Sequence, residues 1–184
     1  MHFLLDPLSQ RGMEALKKTA VIGIGNTLMS DDGAGVRVLE HLHELPDHVT
    51  IVELATGGMT LLHHLEDYDR VVIADAVDFG GEPGEIRVFN PDEVRTIKTV
   101  GYSLHDLDIL KVLDLAKQLD MLPDSVRIAA IQPGSLEMKE GLTPNVEAAL
   151  PELARWISSE ITGQAGISGS GISGLNNGKP VDKE

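Results

Sequence analysis

From about Thr19 to Thr162, short runs of aliphatic and β-branched residues alternate with longer stretches whose apolar positions recur every three or four residues. The first run, AVIGIG (Ala20 to Gly25), is apolar throughout and ends in glycine. That predicts a strand covered on both faces, at the centre of a sheet. Between Gly33 and His43, Val36, Leu39 and Leu42 fall on one helical stripe. Val49 to Leu54 predicts a second strand. Met59, Leu61, Leu62 and Leu65 mark a second helix, and RVVIADA (Arg70 to Ala76) a third, buried strand. Glu85 to Phe89 alternates, as a strand near the sheet edge does. Leu104 to Leu119 repeats leucine at helical spacing, with Ser103 placed as its N-cap and His105 in its first turn. Val126 to Ile131 is a further strand. Thr143-Pro144 opens the last helix in the favoured order, cap residue and then proline.

Strands alternating with helices predict one three-layer α/β/α domain over residues 19–162, built on a mostly parallel, mixed sheet of five strands. Right-handed crossovers gather reactive groups at the carboxyl ends of such strands, near the point where strand order reverses. Residues 1–18 form an N-terminal extension with a second possible start at Met13. Residues 163–184 hold six glycines with interleaved serines and predict a flexible tail.

Composition narrows the chemistry. With no cysteine among 184 residues there is no thiolate nucleophile, no disulfide framework and no sulfur ligand for a metal. Fifteen Lys and Arg against 29 Asp and Glu give a formal charge of −14. That field repels phosphate backbones and anionic lipid, so no nucleic acid and no membrane is expected as partner. The apolar run at Met1 to Leu5 is too short for a signal peptide core, and a cytoplasmic monomer is expected. Aromatic residues are only 3%, which leaves an aliphatic core.

The glycine-rich segment Gly23 to Leu28 follows a strand, as a dinucleotide fingerprint would, but Leu28 stands where a third glycine is needed. Asp31-Asp32 also occupies the turn where a pyrophosphate requires bare amide donors, which argues against a nucleotide-binding oxidoreductase. The plain reading of this acidic pair is that one member caps the first helix. Asp75 closes an apolar strand, where an ionised carboxylate is costly unless it is paired, hydrogen-bonded or bound to a cation. His105, in the first turn of a helix, is held neutral by the dipole, and neutral imidazole is the form that binds metal. One carboxylate after the first strand, Asp75 and His105 can converge above the sheet as an open O,O,N site. Such a site suits nickel, zinc or manganese. The remaining histidines, His41, His43, His48, His63 and His64, read as surface residues around two helices.

The run GIGNTLMSDDGAGVRVLEHL (Gly23 to Leu42), with VELATGGMTLL (Val52 to Leu62), IADAV (Ile73 to Val77), SLH (Ser103 to His105) and GLTP (Gly141 to Pro144), resembles the nickel-iron hydrogenase maturation endopeptidases. The resemblance implies a phosphorylase/hydrolase-like sheet and Asp32, Asp75 and His105 as metal ligands. It also implies removal of a C-terminal extension from a hydrogenase large-subunit precursor that already holds nickel. Nickel is then presented by the substrate, although another divalent ion such as zinc can occupy the site in isolation. Two departures stand out. Asp32 is one methylene shorter than the Glu of some relatives, and Glu53-Leu54-Ala55-Thr56 replaces a D-G-G-T loop thought to select the substrate. Without cysteine or a Ser-His-Asp set, water is the expected nucleophile, activated by the metal or by a spare carboxylate such as Asp31. The catalytic set is thus Asp32, Asp75, His105 and Asp31. The rival is a noncatalytic nickel-binding checkpoint or chaperone that uses the same three ligands.

Overall fold

The computed structural model describes residues 17–55, 57–91, 104–163 and 172–173; for 104–108 and 172–173 it describes the backbone only. The strands are β1 (Thr19–Ile24), β2 (Val49–Leu54), β3 (Arg70–Ala76), β4 (Ile86–Phe89), β5 (Ser125–Ile131) and a two-residue β6 (Ile172–Ser173). The helices are α1 (Ala34–Arg37), flanked by 3-10 turns at Ser30–Gly33 and Val38–His41, then α2 (Met59–Glu66), α3 (Leu104–Gln118) and α4 (Pro144–Thr162). The sheet runs β2-β1-β3-β5-β4-β6, with β1, β2, β3 and β5 mutually parallel and β4 antiparallel to β5.

Alternation along each strand sorts the core into two layers. Ala20, Ile22 and Ile24 of β1, with Val71 and Ile73 of β3, pack under α2 and α3. Val21, Val72, Ala74 and Ala76 face the opposite way, against α1 and α4. Both faces of β1 and β3 are therefore apolar, which is why these strands read as unbroken hydrophobic runs. Trp156, the single tryptophan, is buried in the second layer. The five-stranded mixed sheet predicted from the pattern is present, extended at its edge by the two-residue β6.

Several local expectations change. β1 lies one place in from the edge, and β3 takes the more central position because its neighbours are β1 and β5. The first helix is a mixture of 3-10 and α turns, and its N-cap is Gly33 without a side-chain bond, so neither aspartate caps it. Thr143 occupies the N-cap position of α4, but its hydroxyl makes no capping bond because it is turned toward Asp31. Ile172–Ser173, within the segment read as a flexible tail, pairs in parallel with Ile86 and Arg87 of β4. Ser103 lies outside the described residues, as does Thr56 in the loop where substrate selection is expected.

Candidate active site

Strand order reverses between β1 and β3, because the chain leaves β1 for β2 on one side and returns to β3 on the other. The carboxyl ends of these two strands border the crevice in which open α/β sheets bind ligands. Asp32 follows β1 and Asp75 is the penultimate residue of β3, so both carboxylates stand at this crevice.

Glycine makes the close approach possible. A Cβ on Gly35 would overlap the carbonyl oxygens of both Ile24 and Ala74, so only a bare backbone lets α1 press on the ends of β1 and β3 together. Gly25 has φ +143°, and a Cβ there would overlap the carbonyl oxygen of Asp32. These glycines serve the packing of strand on helix, the use that remains once a nucleotide is set aside.

The two adjacent aspartates have opposite fates. Between Asn26 and Gly33 the chain turns sharply, and Ser30 takes a left-handed conformation at φ +48°. A non-glycine residue held there stores strain that the surrounding contacts must offset. Asp31 then points inward and is wholly buried. Its Oδ2 accepts from Gly134 N at 2.7 Å, Ser135 N at 3.0 Å and Thr143 Oγ1 at 2.8 Å, while Oδ1 accepts from Thr143 N at 2.6 Å. Four donors satisfy a buried carboxylate. The structure therefore gives Asp31 a different task from the spare, water-activating carboxylate expected above: it ties the turn after β1 to the loop after β5 and to the start of α4.

Asp32 is half-buried. Its Oδ2 accepts from Asn26 N at 2.8 Å. Its Oδ1 takes no hydrogen bond among the described residues, so one oxygen is fixed in place and the other is open to a ligand. Asp75 is only 3% exposed, at the end of a strand otherwise lined with Val, Ile and Ala. The backbone of His105 is the second residue of α3, at the end of that helix nearest the strands' carboxyl termini; its side chain lies outside the described residues. Four residues on, Ile109 packs so tightly on Gly57 that a Cβ there would overlap it, which seats this end of α3 against the loop leaving β2. Among the described residues no three His, Asp or Glu side chains form a metal cluster. The two carboxylates alone are placed here by their side chains.

Pattern reading missed Gln132. It follows the apolar strand β5 just as Asp75 closes β3, and its Oε1 accepts from Phe79 N and Gly81 N, both at 3.0 Å, while Nε2 donates to Asp78 Oδ1 at 3.0 Å. Gln132 thereby holds the segment that leaves β3 directly after Asp75. A polar residue ending a buried apolar strand was the available signal. His41 and His43 line a groove of about 520 Å3 between the far ends of the first helical run and α4, away from the crevice.

Residues 36–160 match the hydrogenase maturation protease family. The chain belongs to that family. The hydrogenase 2 maturation protease of Escherichia coli (strain K12) is 37% identical over 134 residues, covering 71% of this chain and 82% of that protein. The hydrogenase expression/formation protein HupD of Bradyrhizobium diazoefficiens is 35% identical over 149 residues, covering 74% and 78%. Among solved structures, the hydrogenase maturating endopeptidase HybD from E. coli superposes with a TM-score of 0.72 at 31% identity, covering 80% of this chain and 94% of that one. The protein is thus a peptidase of hydrogenase maturation. No described helix of the protease is long and apolar enough to cross a membrane.

Proposed function

We propose that this maturation protease removes a C-terminal extension from a nickel-loaded hydrogenase large-subunit precursor, and that Asp32, Asp75 and His105 receive the nickel carried by that substrate. The observation that supports the reading is the placement of two carboxylates at the β1/β3 switch point, one following β1 and anchored through a single oxygen, the other near the end of β3 and almost buried. Two oxygen donors with an imidazole and no thiolate suit a borderline divalent ion, nickel in the substrate or zinc in the isolated protein. A buried carboxylate such as Asp75 gains most from a cation, because burial is otherwise costly to its charge.

In this reading Asn26 N orients Asp32, and Gln132 fixes the segment behind Asp75, so both ligands are held before the substrate arrives. Peptide hydrolysis requires a nucleophile, polarisation of the scissile carbonyl and a proton for the leaving amine. Water serves as the nucleophile in this reading, since the chain offers neither a cysteine nor a recognisable Ser-His-Asp set. With Asp31 committed to four hydrogen bonds, water activation rests with the metal-bearing site itself. A precursor that lacks nickel offers nothing for the three ligands to grip, so the same contacts act as a checkpoint.

The test is incubation of the protease with nickel-loaded and nickel-free precursor, followed by mass spectrometry of the products. Loss of a C-terminal peptide from the loaded form alone is expected. Cleavage of both forms removes the checkpoint, and tight binding of the loaded form without cleavage leaves the noncatalytic reading.

A further inference from the structure

Next to the crevice lies a groove of about 330 Å3 lined by Asn26, Leu28, Met29, Met138, Lys139 and Glu140, with an almost wholly apolar wall. Leu28 is 55% exposed and Met138 is 89% exposed. Such exposure is ordinary on a loose loop, but both walls here are fixed. Met29 and Lys139 form a parallel β-bridge, with Ser30 N donating to Lys139 O at 2.6 Å. The loop that carries Met138 is fastened at both ends to Asp31, through Gly134 and Ser135 at one end and Thr143 at the other. The fold thus holds two large apolar side chains exposed on the walls of one preformed groove, where a partner's apolar group could cover them.

We infer that this groove receives an apolar side chain of the hydrogenase precursor close to the bond that is cut; the inference rests on the peptidase reading above and gives it a docking surface. Continuity carries the argument. Asn26 lines the groove with its side of the turn and holds Asp32 with its backbone N–H, so a chain laid across the crevice at Asp32 meets the groove next. Charge separates the precursor from a second copy of the protease, because two bodies of formal charge −14 repel each other on approach. Methionine walls are polarizable and adaptable, so they accept an apolar side chain without demanding one shape.

The experiment measures the affinity of nickel-loaded precursor for the full-length protease and for a Leu28→Ser, Met138→Ser double variant, by biolayer interferometry. Leu119→Ser is the control, since Leu119 is 52% exposed on the turn after α3. The double variant is expected to bind at least about tenfold more weakly, with the control and both melting temperatures unchanged. Unchanged affinity in the double variant overturns the inference. So does an equal loss in the control, or a self-association that the double variant abolishes while precursor affinity stays intact. If the double variant binds more weakly as expected but the wild-type protease releases no C-terminal peptide from nickel-loaded precursor, the cleavage reading fails and with it the placement beside the cut bond, whereas unchanged affinity with normal cleavage overturns the groove alone.

Discussion

Asp31 and Thr143 stand 112 residues apart in sequence and are joined twice, Thr143 N donating to Oδ1 at 2.6 Å and Thr143 Oγ1 to Oδ2 at 2.8 Å. The pair joins the turn after β1 to the first turn of α4. With Gly134 and Ser135 on the same carboxylate, it fastens both ends of the β5–α4 loop to the turn after β1 as a single framework.

Asp31→Asn replaces an acceptor oxygen with a donor that faces other donors. A loss of about 2–4 kcal/mol in unfolding free energy is expected, measured by urea titration. Thr143→Val removes only the hydroxyl bond and should cost about 1–2 kcal/mol.

Asp32→Asn is expected to behave in the opposite way. Its side chain is half-exposed and accepts one backbone bond, which the amide oxygen can still accept. Stability should change by less than about 1 kcal/mol. Processing of nickel-loaded precursor should fall by at least about a hundredfold, followed by mass spectrometry under single-turnover conditions. An Asp32→Asn protease that processes at the normal rate overturns the assignment.

Gly35→Ala tests the seat of the crevice. The added methyl meets two strand-end carbonyl oxygens at once, and backbone cannot swing aside as a side chain can. A loss of more than about 2 kcal/mol is expected, read as a lower melting temperature.

These residues also show how far sequence carries. The strands β1 and β3 were legible because both their faces are covered, which writes burial into the chain as nearly continuous apolar runs, and β5 repeats this over Ile128 to Ile131. Asp75 was legible for the same reason, as a charge at the end of such a run. The neighbours Asp31 and Asp32 were not separable by local pattern, and only the family resemblance gave them different roles. Their difference arises from the left-handed turn at Ser30 and from donors at residues 134, 135 and 143, and no local pattern encodes partners that distant. Tertiary contact likewise overrode local preference at Thr143, where a cap residue gives its hydroxyl to Asp31. The central place assigned to β1 failed because apolarity reports coverage of a strand's faces and says little about its rank in the sheet.

Gln132→Leu leaves Phe79 N and Gly81 N without their acceptor while keeping the bulk of the side chain. Hydrogen exchange at residues 79–81 should quicken, and stability should fall by about 1–3 kcal/mol. Precursor processing should slow as well, since the segment behind Asp75 loses its anchor.

The donors that fix Asp31 also order events during synthesis. β1 and the turn after it leave the ribosome early, but the carboxylate has nothing to bind until residues 134, 135 and 143 have followed. Until then Asp32 has no framework behind it, and the walls of the neighbouring groove are not joined. A chain that ends before Thr143 therefore leaves two of the four donors to Asp31 unmade, so the turn after β1 gains its full set of anchors only when α4 begins.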